Sequence, residues 1–428
     1  MSFQQGVSGL NAAGRNLEVI GNNVANASTV GAKSSRAEFS DVYARAVSGG
    51  GANNIGLGVS LASVSQQFSQ GSINSTDNPL DLAINGGGFF QLKDLNGTLQ
   101  YSRNGQLKVD RDGFISNAQG SRLLGYPANE QGTLVPGQAQ PLTLPTAGIK
   151  PSTTQSVKLE LNLDARAKTT ADATRTAPID FNDAKTYNSA TSINVYDAKG
   201  QEVALTYFFQ KSSPDSWSVF AAANGMPLNP DGSGNPQPIS TLQFPGNGGA
   251  PINPNDPSLP LGLISFDVPP SSNFQGVATE PMTGVQLDLS KLTQYGANFG
   301  VTNVAQDGFP PGQLASIGIE PSGLVMATYS NGQSTSIGQL ELATFRNVQG
   351  LKPLGGNTWS ASYESGDPVL GTPGSGNLGV IKSGAVEESN IDLTAELVNM
   401  MVAQRIYQAN AQTIKTQDSV LQTLVNLR

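Results

Sequence analysis

The feature that most constrains this fold is a heptad of apolar and small residues at each end of the chain. Near the start, Phe3, Val7, Leu10, Gly14, Leu17, Gly21 and Val24 alternate at spacings of four and three. That period places them along one seam of an α-helix. Ser2 with Gln5 suits a capping box, and Asn26 with the turn-forming residues after it marks the end. Gly6, Gly9, Ala12, Ala13, Gly14 and Gly21 suit a helix that another helix approaches closely, because each Gly costs ~1 kcal/mol against Ala in an isolated helix.

The C-terminal seam runs through Leu393, Leu397, Met400, Gln404, Tyr407, Ala411, Ile414, Asp418, Leu421 and Val425. Ser389 or Asn390 can cap this helix, with Asp392 favourable in its first turn. No Pro or Gly interrupts Ile391 to Arg428, a span of roughly 55 Å as a helix. A second stripe of Val398, Met401, Val402, Ile406, Val420 and Leu424 widens the apolar face. Two readings follow. The ends close on each other as an intramolecular hairpin, or they order against copies of themselves. The unequal helix lengths and the polar Gln404 and Asp418 in the seam favour the second.

Between the helices the period changes to two. Val157–Leu163 is a clean alternating strand, and Ser192–Tyr196 with Glu202–Phe208 brackets an Asp197–Gly200 turn. Asn96-Gly97, Asp112-Gly113, Pro321-Ser322-Gly323 and Asn331-Gly332 are further turns. Residues 226–262 read as a loop region with little strand signal, residues 37–47 have helical character, 49–58 is a glycine-rich run, and 59–68 suits a strand. These patterns predict an inner β domain interrupted by an inserted one.

Composition narrows the chemistry. The chain has 428 residues, with 24 Lys and Arg against 32 Asp and Glu, and a net charge of −8. It lacks the basic face that nucleic acid requires. It contains neither Cys nor His, which excludes thiolate and imidazole catalysis, disulfides and Cys- or His-based metal sites. No run of apolar residues reaches membrane-helix length, and Met1–Gly6 has no secretory n-region. The expectation is a structural or binding protein: not an enzyme, with no cofactor, no metal, no nucleic acid and no membrane insertion. Asp110-Arg111-Asp112-Gly113 and the Asn229–Asn235 run faintly resemble calcium loops but lack a closing Glu. Turn chemistry explains both. Gly86-Gly87-Gly88 is a tight turn and not a phosphate cradle.

Three stretches resemble the signatures of the bacterial flagellar rod, hook and basal-body family. The first spans residues 8–39 around Ser8-Gly9-Leu10, Asn22-Asn23-Val24-Ala25-Asn26, Thr29, Gly31 and Lys33. The second runs from Gly384 through Asn390 and Asp392 to Glu396, Arg405, Asn410 and Thr416. The third joins Asn78–Ile84 and Gly86–Phe90 to Arg103-Asn104-Gly105 and Asp112-Gly113. Length and a large insertion point to hook members of that family, with a distal rod protein or a surface adhesin as alternatives.

The resemblance implies an α+β multidomain chain: a terminal coiled coil (1–27 and 391–428), a linker region (28–70 and 381–390), an inner β domain (71–150 and 291–380) and an inserted outer β domain (151–290). It implies a helical homopolymer, a curved tube acting as a universal joint, with rod, hook-cap and hook–filament junction proteins as further partners. It also implies export through the flagellar type III pathway to an extracellular hook. Val7, Leu10, Leu17, Val24, Leu393, Leu397, Met400, Gln404, Tyr407, Ile414 and Leu421 are the expected assembly residues. Asn22, Asn23, Asn26, Asn390, Asp392, Arg405 and Asn410 are the matching signature positions. Two readings of Glu18 and Arg405 stand side by side: an ion pair inside the coiled coil, or two solvated or lumen-facing groups.

Overall fold

The computed structural model describes residues 2–42, 58–129, 132–135, 137–145, 148–172, 175, 177–253 and 256–426. The chain divides into two compact units. One comprises residues 1–146, 315–328 and 334–428, and the other 147–314 and 329–333.

In the first unit, helix α1 (Ser2–Asn26) and helix α2 (Leu393–Asn426) frame a β body. Helix α1 ends at the predicted Asn26. At Gly31 the backbone takes φ 73°, and a Cβ there would stand 2.6 Å from the backbone N of Asn104, so only Gly fits. The N-cap of α2 is Asp392, not Ser389 or Asn390. Its Oδ1 accepts from the Thr394 N–H at 2.9 Å and the Ala395 N–H at 3.1 Å. The first turn expected for Asp392 is thus one step earlier, at the cap itself.

Residues 37–42 are not helical. They belong to strand β1 (Ser35–Val42), antiparallel to β2 (Gly58–Gln66), with a register shift between Glu38 and Phe39. A short lone helix is marginal in water, whereas pairing with the strand expected at 59–68 satisfies both backbones. Residues 43–47, and most of the 49–58 run, lie outside the described residues.

The β body centres on a sheet of thirteen strands among the described residues. Ser334–Leu340 pairs with Arg122–Pro127, then Phe89–Lys93, Leu99–Ser102, Thr358–Ser360 and Lys352–Gly355 follow. Alternation sends Phe90, Leu92, Leu123, Leu340 and Leu342 into one apolar core. Phe89, Tyr101, Phe345 and Trp359 enter another, where Tyr101 meets Phe345 edge-on at 4.8 Å between ring centroids. Two short ladders tie the segments entering and leaving this body. Leu82–Asn85 pairs with Val380–Ser383, and Ile73–Ser75 pairs with Ala385–Glu387.

The second unit packs a four-stranded sheet against a seven-stranded one around a core that includes Val157, Leu159, Leu287, Tyr207, Phe209 and Trp217. Within strand Glu202–Ser213, Tyr207–Lys211 is buried on both faces, because Phe181 and Tyr187 cover Phe208 and Phe220 on the outer side. Tyr207, Phe208, Phe209, Trp217 and Phe220 thus belong to cores, whereas Phe274 and Tyr295 are exposed. The expected boundary at 290 falls short, since Gly300–Gln306 pairs with Ser156–Asn162 and completes the smaller sheet. Residues 226–262 also carry strands, among them Ser240–Gln243 and Asp256–Pro260, too short to leave an alternating signal.

Both suspected calcium loops are Asx turns. The Asp110 carboxylate accepts from the Asp112 and Phe114 N–H groups, and Asp231 accepts from Ser233 and Asn235. Hydrogen bonds from Asn235 hold the Asp231 carboxyl below its ordinary pKa. Gly86 and Gly88 take φ 119° and 115°, as a tight glycine turn does.

Candidate functional site

The two helices run antiparallel, and the line where they meet follows the small residues. A Cβ on Gly6 would stand 3.0 Å from Ile414 Cγ1, and one on Gly9 would stand 2.8 Å from Asn410 Oδ1. Among the described residues, Gly6, Ala13, Ile20 and Asn23 are the buried positions of α1, and Ala403 is the buried position of α2. Small side chains let the helix axes come close, and the contact settles on the glycine-bearing side.

On α1 the expected apolar seam lies one position away from that line, while on α2 Ile414 lies on it. Val7, Leu10, Leu17 and Val24 are half-buried, as are Met400 and Ile414. Leu393, Leu397, Gln404, Tyr407 and Leu421 are exposed. With Val398, Met401, Val402, Ile406 and Val420, the exposed Leu393, Leu397 and Leu421 make an apolar face on α2 in which each side chain is 46–55% exposed. No such density of large apolar residues is needed for a solvated helix surface. No helix among the described residues is long and apolar enough to cross a membrane.

At the base of the helices sits a buried ionic cluster that sequence reasoning missed. Lys33 Nζ lies 2.6 Å from Glu387 Oε1, and Arg103 Nη1 lies 3.1 Å from Glu387 Oε2. The Lys33 and Glu387 side chains are fully buried. Lys33 also donates to the Ser69 carbonyl at 2.8 Å, Arg103 to the Gly86 carbonyl at 2.9 Å, and the Gly71 N–H donates to Glu387 Oε1 at 3.0 Å. Burial pulls the Lys33 ammonium below its ordinary pKa, opposed by the hydrogen bond and charge of Glu387. Burial likewise lowers Arg103, again against the pull of Glu387. Two cations thus share one carboxylate, and the three come from segments far apart in sequence. Lys33, Arg103 and Glu387 all stand inside the signature stretches, which is the trace of this cluster in the sequence.

The signature asparagines clamp the same junction. Asn23 uses its whole amide on the backbone of Ser35, donating to the carbonyl and accepting from the N–H, both at 2.8 Å. It also donates to Glu396 of α2 at 3.2 Å. Asn390 accepts from the Ser34 N–H at 2.8 Å and donates to the Gln67 carbonyl at 2.7 Å, joining both linkers. Asn26 donates back to the Asn22 carbonyl, and Asn410 packs over Gly9. The Glu18–Arg405 pair is not formed. Glu18 bonds Arg15 one turn earlier at 2.8 Å, a local contact that needs no second helix, while Arg405 is exposed.

Comparison with known proteins follows this division. Residues 3–33 match the flagella basal body rod protein model, and 382–427 match the flagellar basal body rod FlgEFG protein C-terminal model. Residues 83–161 match the flagellar hook protein FlgE/F/G D1 domain, and 162–309 match the flagellar basal body protein FlaE D2 domain. The flagellar hook protein FlgE of Escherichia coli (strain K12) is 40% identical over 438 residues, covering all of both chains. That of Salmonella typhimurium is 39% identical over 437 residues with the same coverage. The Borreliella burgdorferi hook protein is 31% identical over 456 residues, covering 100% of this chain and 99% of that one. In fold, the chain is similar to the crystal structure of the Helicobacter pylori flagellar hook protein FlgE2, with a TM-score of 0.53, 16% identity, and coverage of 72% of this chain and 99% of that one. Two terminal helices clamped at a buried ionic junction, a β body with an inserted β unit, and full-length identity to these relatives together place the chain in the flagellar hook protein family.

Proposed function

We propose that this chain is a structural subunit of the bacterial flagellar hook that polymerises with copies of itself into a curved helical tube. The observation that carries this reading is the exposed apolar face of α2. Head-to-tail contact between unlike surfaces of identical chains extends into a helical polymer when its rotation does not close a ring. Fully burying each such side chain is worth ~1.5–3 kcal/mol, and these are already about half covered. The gain per subunit is therefore several kcal/mol, repeated along the polymer.

The buried ionic junction holds the helices at a fixed attitude to the β body, so that torque passes from one to the other. The inserted unit carries the outer contacts. Its surface is rich in Asn, Gln, Ser and Thr, and wet polar contacts slide at little cost. Sliding there lets the tube bend while it rotates, which is the action of a universal joint. The ends of the tube meet the distal rod, the hook cap and the hook–filament junction proteins. The subunit reaches this extracellular site unfolded through the flagellar type III channel, a route that a chain without Cys travels free of disulfide traps.

The test is negative-stain electron microscopy of the purified full chain under polymerising salt, beside a chain lacking residues 1–27 and 391–428. Curved tubes are expected from the full chain only. Tubes from both would move the driving force out of the helices, and tubes from neither would overturn self-assembly.

A further inference from the structure

On the polar surface of the inserted unit one turn stands apart. Asn273 is buried, and its Oδ1 accepts from the Gln275 N–H at 3.0 Å and the Val277 N–H at 2.9 Å. The Gly276 N–H donates to the Asn273 carbonyl at 2.9 Å, with Gly276 at φ 76°. Beneath the turn, Ser271 and Thr279 are buried and joined by backbone and hydroxyl hydrogen bonds. The Asn224 amide donates to Ser271 Oγ at 2.9 Å and ties the neighbouring turn to this one. The platform is therefore rigid, and its first corner holds out Phe274 with the ring 82% exposed. Val277 on the same turn and Met226, two residues beyond Asn224, are 40% and 44% exposed.

The turn itself does not require that ring. The same pattern, an Asx oxygen accepting from the N–H groups two and four residues on with glycine between them, is built at Asp110, Asn117, Asp197 and Asp231. The corner residues there are Arg111, Ala118, Ala198 and Gly232, all exposed. Local folding thus accepts a small or charged residue at the place where this turn carries phenylalanine. Single exposed apolar side chains are ordinary on a protein surface. An aromatic ring on a rigid turn with apolar neighbours has instead the build of a contact anchor, since little conformational freedom remains to be lost on docking.

Area selects the partner. Covering Phe274, Val277 and Met226 removes on the order of 300 Å² on this side. A free-standing complex needs about 800 Å² per partner. The patch is too small to capture an independent protein, and it adds binding only where the partner is already held at high effective concentration. In a polymer that partner is the next copy. We infer that Phe274 is an apolar anchor buried against a second copy of this chain, a fixed point about which the polar outer contacts slide. The inference rests on the self-assembly reading and names one of its contacts.

The experiment uses the full chain with Phe274→Ala, with Phe274→Leu, and with the photo-crosslinker benzoylphenylalanine at position 274. Phe274→Ala places at this corner the residue that the Asn117 and Asp197 turns carry, so the monomer is expected to keep the parent's thermal midpoint. The critical concentration for tubes is expected to rise about tenfold, as on truncating an aromatic anchor. Phe274→Leu keeps apolar area and is expected to recover most of that loss. In tubes grown from mixed isotopically light and heavy chains, the crosslinker is expected to join light peptides to heavy ones.

Phe274→Ala polymerising like the parent, or lowering the monomer's thermal midpoint, would overturn the inference while leaving self-assembly intact. So would Phe274→Leu as defective as Phe274→Ala, or tubes without crosslinks between copies. A parent chain that forms no tubes would overturn both readings.

Discussion

Replacing Glu387 by Gln is expected to destabilise the helix-bearing unit by about 3–5 kcal/mol, the cost of breaking a buried ion pair from one side. The carboxylate is the only anion among three buried charges, and it also accepts from the Gly71 N–H. Removing its charge leaves Lys33 and Arg103 facing each other in a site that water does not reach. Lys33→Met is expected to cost much less, since it takes the cluster from one net positive charge to none and leaves the Glu387–Arg103 pair whole.

The two variants also differ with pH. Burial holds the Lys33 pKa below its ordinary 10.5. Between the folded and unfolded values the unfolded chain binds the extra proton, so the Lys33 contribution to stability rises with pH and is lost as pH falls through the folded value. The parent chain is expected to gain stability relative to Lys33→Met as pH rises from neutral toward 10.5. Urea unfolding read from Trp359 fluorescence in a Trp217→Phe background measures both effects in the relevant unit. Equal losses for Glu387→Gln and Lys33→Met would mean the cluster matters only for its shape.

The second large effect concerns assembly. Val402→Glu with Ile406→Glu places two carboxylates in the middle of the exposed α2 face, where both parent side chains are about half exposed. In the single chain both border a recess with Val19 and Ile20 of α1 and are about half covered, so the monomer is expected to stay folded with a modest loss, ~1 kcal/mol per side chain. A polymer contact there would have to bury two unpaired charges, each costing several kcal/mol. Tube formation is therefore expected to vanish at any practical concentration, measured by sedimentation of polymer from monomer. Tubes forming normally would show that this face stays in solvent.

Much of the architecture was legible because local rules and tertiary packing agree. The heptads gave both helices, Asn26 gave the end of the first, and Gly-bearing turns such as Asp112-Gly113 and Asn96-Gly97 sit where their positive φ requires. Apolar periodicity marks what a helix wants to bury, not which partner buries it. Within one chain the small residues Gly6, Gly9 and Ala13 make the contact, and the large apolar ones on α2 remain uncovered. The α2 cap was misplaced because Ser389, Asn390 and Asp392 are all good caps locally, and Asn390 is taken by the Ser34 and Gln67 backbone. That bond closes a loop of hundreds of residues, which no window can see. The same holds for Lys33, Arg103 and Glu387. Charges read from sequence look like surface, and only the ladders that bring Ile73–Ser75 beside Ala385–Glu387 bury them.

The absence of native cysteine makes one direct measurement simple. Val402→Cys gives a chain with a single thiol on the exposed face of α2, and its reaction rate with a maleimide can be followed in monomer and in tubes. If α2 is the surface through which subunits join, the thiol reacts freely in the monomer and is protected in the tube. Equal rates in both states would contradict that claim.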